Sequence, residues 1–158
     1  MDDPREFLTT ETEGWVPYQA LATLSDDDLG RPVEGAHGWS GRDLMAHLVF
    51  WQEVAVGLAR DLAAGDASPT AEWASAEWDK RGDAWNDQIL DEWRALPLSV
   101  VRARFGSAPL DLRNALADAP EARWWGNEEH RQTLIEETVE HYADHPSELA
   151  AILAAAAS

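Results

Sequence analysis

The spacing of apolar residues is the feature that most limits the folds open to this chain. After Ser40, core-type residues recur at positions i, i+3, i+4 and i+7: Leu44, His47, Leu48 and Trp51. This spacing is typical of one buried helix face. No segment alternates apolar and polar residues in runs rich in Val, Ile and Thr, as a half-buried strand does. The sequence therefore predicts an all-α protein.

Capping and stop signals place two long helices. Ser40 and Asp43 form a start resembling a capping box, and the helix they open is predicted to end at Gly65. The last helix is predicted to start near Asn127 and to run into the alanine-rich tail. Pro146 should kink it, because proline lacks a backbone donor.

The region between these helices carries a weaker pattern. Trp78 and Trp85 are seven residues apart and Trp93 lies eight beyond, so the three cover roughly one helix face. A third long helix is predicted over residues 70–96. Three helix breakers then predict shorter helical pieces: Pro97, Gly106 and Pro109.

Length and charge narrow the classes of protein. The 158 residues suit one domain, residues 1–158, with a single core. The formal charge of −18 disfavours nucleic acid and anionic membranes as partners. No apolar run reaches the ~18 residues of a membrane span, and the acidic start does not resemble a signal peptide, so a cytoplasmic location is expected.

Three histidines form the strongest candidate site. His141 and His145 are four residues apart, which places two imidazoles about one turn apart on the same helix face. His47 lies on the core face of another helix. Such a set can hold one divalent metal, and with no cysteine in the chain any metal must rest on His and carboxylate ligands. His130 is excluded as a partner of His141, because eleven residues span roughly 16 Å of helix.

A structural interpretation of these histidines stays open at this stage. A lone core histidine is more often hydrogen-bonded than metal-bound, and pairs four apart also occur on solvated faces. Two buried imidazoles without partners would each cost about 1–3 kcal/mol, which a metal avoids. His37 either lines the mouth of a pocket or is a solvated loop residue, and the second interpretation is favoured. Glu137 and Asp144 either orient the ligands or are simply solvated charges.

The nine tryptophans supply candidate ligand-binding residues. For each, core packing competes with a role in an aromatic wall around a flat or hydrophobic ligand. The candidates for such a wall are Trp39, Trp51, Trp85 and Trp125. Arg123, with Arg42 and Arg131 as alternatives, could anchor a ligand carboxylate. The sequence singles out no catalytic residue, since it contains no nucleophile elbow, phosphate loop or HExxH motif.

Two segments, 38–48 and 140–145, resemble the signature stretches of the DinB-like superfamily. Residues 83–86 also resemble the middle helix of its ClbS/DfsB and maleylpyruvate-isomerase-N-terminal-like branches. The resemblance covers nearly the whole chain. It implies a DinB-like four-helix bundle with long connections, commonly dimeric, in which His47, His141 and His145 bind a divalent metal such as zinc or nickel.

The resemblance also implies alternative functions. Members include transferases and isomerases that use a low-molecular-weight thiol such as mycothiol, and hydrolases that protect a producer from a reactive natural product. The leading interpretation is a metal-dependent enzyme that acts on a small electrophile. The alternative is a non-catalytic or metal-free protein that binds or detoxifies a hydrophobic natural product. A third interpretation is an acidic scaffold that only dimerises.

Overall fold

The elements of the computed structural model, which describes residues 1 and 3–158, are helical, and no described residue lies in a strand. The predicted all-α class is confirmed. The α-helices are α1 (Pro4–Trp15), α2 (Asp26–Gly30), α3 (Gly41–Ala64), α4 (Pro69–Arg81), α5 (Asp83–Arg94), α6 (Leu98–Asp118), α7 (Glu121–Trp124), α8 (Glu128–Ile135), α9 (His141–Asp144) and α10 (Pro146–Ala156). The segments Val16–Thr23 and Glu34–Ala36 are 3₁₀-helical, and Glu136–Glu140 is π-helical.

Helix α3 lies at the centre of the bundle. It packs along α6 on one side and against the π-helical segment on another, while α4 and α5 cover it further. Helix α1 contacts the π-helical segment and α9. Most of α3 is buried, which explains why its apolar face is wider than that of the other helices.

The start of α3 is held by the predicted capping box. Ser40 Oγ accepts from the backbone N–H of Asp43 at 3.2 Å, and Asp43 Oδ2 accepts from the backbone N–H of Ser40 at 3.0 Å. The buried Asp43 carboxylate also accepts two bonds from Arg94 of α5, at 2.9 and 3.2 Å. The predicted end is confirmed too, because α3 stops at Ala64 and Gly65 is its C-cap.

Replacing Asp43 by Ala should lower the free energy of unfolding by about 2 kcal/mol, because the cap and the bidentate pair are lost together. Urea denaturation at pH 7 measures this. Asp91→Ala is the matched control, since Asp91 is exposed and pairs with the same Arg94 at 3.1 Å. That change should stay within about 0.5 kcal/mol. Equal losses in the two variants would contradict the structural role of Asp43.

The region between α3 and α8 departs from prediction in two places. Residues 70–96 do not form one helix, because Gly82 takes φ +53° and separates α4 from α5. The pieces predicted around Pro109 are instead one helix, α6. Its buried stripe, which includes Phe105 and Leu112, packs on α3. Burial of several such side chains, about 1.5–3 kcal/mol each, outweighs the roughly 3 kcal/mol cost of an internal proline.

The last predicted helix is divided more sharply than a kink implies. It passes through the π-helical segment Glu136–Glu140 and ends after Asp144. His145 has φ −115° and ψ 20°, outside the helical region, and Pro146 opens α10 as its first residue. Proline disfavours the helical conformation at the preceding residue and is favoured at a first helical position.

Among the described residues, no helix has both the length and the apolar character that a membrane span requires.

Candidate metal centre and adjoining cavity

Three chain segments bring the histidines together. His47 lies on α3, one turn after the capping box; His141 begins α9; and His145 occupies the turn before α10. The Nε2 atom of His47 lies 2.8 Å from Nε2 of His141 and 3.1 Å from Nε2 of His145. One ligand-type nitrogen from each of the three lies within 4.8 Å of the others.

Hydrogen bonding alone does not account for this convergence. An imidazole nitrogen either carries one proton or offers one lone pair, so Nε2 of His47 cannot make two well-formed bonds to the other two Nε2 atoms. His47 is 5% exposed, and its Nδ1 has no partner among the described residues. Nδ1 of His145 also has no hydrogen-bond partner within the described structure. A buried polar atom without a partner calls for an explanation.

The electrostatics favour neutral imidazoles. Burial, and next the nearby His141 and His145, lowers the pKa of His47 to about 2. Burial and His145 lower the pKa of His141 to about 3. Burial also lowers the pKa of His145, although Glu148 and Asp144 oppose that change. All three side chains therefore offer lone pairs, the form in which histidine binds a metal.

The donor set fits a divalent metal. Zinc binds imidazole nitrogen at about 2.0–2.1 Å, so tetrahedral ligand nitrogens lie about 3.3 Å apart. The two measured Nε2 separations differ from this by a few tenths of an ångström. Nε2 convergence would also leave each Nδ1 protonated and facing outward. The Nδ1 atom of His145 has a carboxylate nearby, since Glu148 Oε2 lies 3.7 Å from it.

A cavity of about 450 Å³ adjoins the three histidines. Its lining comes from α3, α4, α5 and the chain from α8 to the turn after α9: His47, Trp51, Ala71, Ala74, Ser75, Trp78, Asn86, Thr133, Glu136, Glu137, His141, Asp144 and His145. This volume suits a small molecule. Catalytic metal sites with three protein ligands keep one position free for water or substrate, and the cavity provides room for one.

The four candidate tryptophans occupy different positions. Trp51 lines the cavity, and its Nε1 donates to Asn86 Oδ1 at 3.0 Å. Trp39 packs on the histidines outside the cavity, with ring centroids 4.9 Å from His47 and 5.7 Å from His145. Trp85 is buried behind Trp51, at 5.3 Å. Of these four candidates, Trp51 alone belongs to the wall of the cavity as the structure describes it.

Trp125 and Arg123 are not brought to the site. Trp125 packs on Phe7 in a second core cluster, with ring centroids 5.5 Å apart. Arg123 donates to the carbonyl oxygen of Leu62 and pairs with Asp66 at 2.6 Å. The expected aromatic wall and carboxylate anchor therefore do not include these two residues. The sequence identified both by residue type alone, which does not show where the fold places them.

The two alternative arginines are also engaged elsewhere. Arg42 donates to the carbonyl oxygens of Trp93 and Leu96. Arg131 donates to the carbonyl oxygen of Trp125. In the described structure, no arginine or lysine lines the cavity.

Among the carboxyl groups of the cavity wall, Glu137 has the pKa that departs most from its ordinary value. Burial, and next the charge of Glu136, raises its pKa to about 8. It lies in the π-helical segment that precedes His141, and such segments often occur at functional sites. At neutral pH the Glu137 carboxyl group is therefore mostly protonated and able to donate a proton.

For several cavity residues, nothing in the sequence indicates that they line a cavity. Trp78 is 41% exposed and lines the cavity, yet its spacing from Trp85 suggested a shared face of one helix. Its ring meets that of Trp51 at 81°, with centroids 5.8 Å apart. Ser75 and Thr133 face the same space from α4 and α8. Only the placement of α4 and α8 on either side of one cavity, which joins segments remote in sequence, could reveal them.

Comparison with protein families agrees with this geometry. The family model described as "Mycothiol maleylpyruvate isomerase N-terminal domain" matches residues 18–145. Because the match spans most of the chain and contains all three histidines, the chain belongs to this family, a DinB-like superfamily domain. The predicted DinB-like resemblance is confirmed, while the ClbS/DfsB branch stays a prediction. The comparisons with curated proteins and with solved structures gave no match.

Proposed function

We propose that this family member is a divalent-metal-dependent enzyme that uses a low-molecular-weight thiol of the mycothiol type to attack a small electrophile. A thiol transferase or isomerase fits this description best, and a related hydrolase would use the same site. The observation that carries the proposal is the convergence of three neutral imidazoles at the wall of a cavity of about 450 Å³.

The three histidines would hold zinc or nickel through their Nε2 atoms. When bound, such an ion lowers the pKa of a coordinated thiol and so supplies a thiolate at neutral pH. The chain has no cysteine, so the thiol must come from outside. The ring of Trp39 packs beside His47 and His145, and the ring of Trp51 lies beside His141 with centroids 6.2 Å apart.

The proposed reaction forms a carbon–sulfur bond. The thiolate sulfur donates an electron pair to the electrophilic carbon, and the bond from that carbon to its leaving atom breaks. A chloride leaves with its electron pair and needs no proton. An opened epoxide leaves an alkoxide oxygen that must take a proton, and the Glu137 carboxylic acid in the cavity wall supplies it.

A non-catalytic binding protein is the second candidate. The edge-to-face pair of Trp51 and Trp78 supports it, because two indole rings already form a corner for a hydrophobic guest. In that case a ligand binds equally well after the histidines are replaced. A small molecule is the proposed partner in both cases, and a homodimer is proposed from the family resemblance.

The test of the enzyme proposal is thiol consumption. Metal-loaded protein is incubated with mycothiol and either 1-chloro-2,4-dinitrobenzene or styrene oxide, and conjugates are measured by mass spectrometry. At least about a tenfold rate over the uncatalysed reaction is expected, because a bound thiol is largely ionised at pH 7 whereas a free thiol with pKa near 8.5 is not.

Two comparisons make this test specific. His47→Ala and chelated wild type should both fall to the background rate, while His130→Gln, which changes a histidine outside the site, should keep the activity. His130 Nδ1 contacts the carbonyl oxygen of Arg123, and the residue lies outside the cavity lining, on the wall of the neighbouring groove between α4 and α8. Because His130→Gln removes no cavity residue and no carboxylate, the activity should persist. A background rate in loaded wild type across both electrophile classes would reject the thiol-transfer proposal in favour of the binding candidate.

A further inference from the structure

The charges that line the cavity and a groove beside it support a further inference. This inference rests on the proposed function, because it concerns the substrate of that site. A groove of about 1140 Å³ runs between α4 and α8 and shares part of its lining with the cavity. The shared residues are Ala71, Ser75, Thr133 and Glu136. The groove therefore adjoins the cavity along these four residues, and we take it as the approach to the cavity.

The groove is strongly acidic. Its carboxylates come from both walls and from the loop before α4: Asp66, Glu72, Asp79, Glu128, Glu129 and Glu136. Asp66 alone among these is paired with an arginine, Arg123. In the part of the chain that the structure describes, no arginine or lysine lines either the groove or the cavity. A channel lined by charges of one sign attracts ligands of the opposite sign.

The inner cavity carries the same sign and adds aromatic surface. Asp144 and Glu136 contribute carboxylates, while Trp51 and Trp78 meet nearly at right angles. Organic cations bind where indole faces lie beside carboxylates, because both the aromatic ring and the negative charge attract them. His47, His141 and His145 line this cavity and bring one ring nitrogen each within 4.8 Å of the others, so the inner end of the acidic region is the candidate metal centre.

A bound divalent ion does not reverse this preference. The histidines are neutral, so the ion contributes two positive charges, and a thiolate beside it removes one. Asp144 and Glu136 balance these within the cavity, and the remaining groove carboxylates leave the approach negative. Maleylpyruvate, after which the family is described, carries two carboxylate groups and would meet this field unfavourably, with no cationic side chain of the described lining to receive it.

We infer that the natural electrophile of this protein is an organic cation or carries a cationic arm, whose positive group lies between Trp78 and Glu136 while its electrophilic carbon reaches the histidines. A dicarboxylate such as maleylpyruvate is a poor substrate for the same reason. The selectivity comes from the walls that α4, α8 and the π-helical segment give to the approach.

Three probes of nearly equal shape test this inference: 4-hydroxyphenyltrimethylammonium, 4-tert-butylphenol and 4-hydroxybenzenesulfonate. Each is titrated calorimetrically into the metal-loaded full chain without thiol, in 50 mM and in 500 mM salt. The cation should bind about tenfold more tightly than the neutral probe at low salt, and the sulfonate most weakly. The preference should shrink at high salt, because the groove charges are exposed.

The variant Glu136→Gln tests whether the preference for the cationic probe arises at the proposed position. It should weaken binding of the cation about threefold and leave the neutral probe unchanged. Asp27→Asn removes the same charge from α2, outside the lining, and should change neither affinity. Equal affinity for cation and neutral probe, tighter binding of the sulfonate, absence of binding by all three, or equal effects of the two variants would overturn the inference.

This experiment separates the inference from the proposed function. A protein that prefers the cation but conjugates no thiol with any electrophile retains the cationic subsite and loses the proposed reaction. A protein that conjugates neutral electrophiles with mycothiol but shows no preference for the cationic probe retains the reaction and loses the inference.

Discussion

Replacing His141 by Ala should abolish stoichiometric metal binding. Wild-type protein without a histidine tag is expected to carry about one zinc or nickel ion per chain, because three Nε2 atoms converge on one point. The variant keeps two nitrogen ligands and should retain less than a tenth of that content after dialysis. Elemental mass spectrometry measures both. His130→Gln is the matched control, and it should carry as much metal as wild type.

The same variant should lose the stabilisation that metal provides. A ligand that binds only the folded state at a thousand times its Kd adds about 4 kcal/mol to the free energy of unfolding. For a domain of this size that corresponds to about 8–16 °C in Tm. Zinc should therefore raise the Tm of chelated wild type by this amount and leave His141→Ala unchanged. A zinc-induced rise of the same size in both proteins would contradict the metal centre.

Metal-free protein distinguishes a metal site from a structural cluster of histidines. In metal-free wild type, Nε2 of His47 faces Nε2 of both His141 and His145, and one imidazole nitrogen can form a well-made hydrogen bond with only one of them. Removal of the His141 ring therefore costs at most one such bond, about 1 kcal/mol, and a small void. Metal-free His141→Ala should therefore unfold within a few degrees of metal-free wild type. A much lower Tm would show that the histidines stabilise the fold by contacts with each other.

The sequence predicts those parts of the site that depend on local rules. The capping box at Ser40 and Asp43 starts α3, so His47 falls on the buried face one turn later. The spacing of His141 and His145 places their rings side by side, with centroids 5.2 Å apart. These relations involve residues within a few turns, and helix geometry determines them.

The remaining parts depend on packing between segments remote in sequence. Gly82 divides α4 from α5, and this allows α4 to pack where its Trp78 and Ser75 reach the cavity. Hydrophobic periodicity reports only that a face is covered, so it could not assign Trp51 to the cavity and Trp125 to the second core cluster. Pro109 illustrates the same limit, because contacts with α3 override its local preference.

Glu137 links the stability of the fold to the proposed chemistry. Its pKa is about 4.5 in the unfolded chain and about 8 in the folded chain, chiefly because of burial. The folded state therefore resists ionisation of this group between these pH values, and the wild type loses stability as pH rises through this range. Well below pH 4.5 the group is protonated in both states and contributes no difference.

Glu137→Gln should therefore stabilise the protein, and more so at higher pH. Because one pKa unit corresponds to about 1.4 kcal/mol and water reaches the cavity wall, we expect a gain of about 2 kcal/mol at pH 8, or about 4–8 °C in Tm. At pH 4.5, where the group is half ionised in the unfolded chain, the gain should fall to about 0.4 kcal/mol. Thermal melts of chelated protein at both pH values measure it. The exposed residue Glu140, on the same helical segment, supplies the control, and Glu140→Gln should change Tm little at either pH.

The kinetic effect of Glu137→Gln should depend on the leaving group. Glutamine cannot give a proton, so opening of styrene oxide by mycothiol should slow by about tenfold or more. Displacement of chloride from 1-chloro-2,4-dinitrobenzene needs no proton and should keep its rate. Equal losses with both electrophiles would assign Glu137 to binding or to the shape of the cavity. A stabilised variant that loses only the epoxide reaction would instead show that this carboxyl group is kept protonated for catalysis, at a cost in stability.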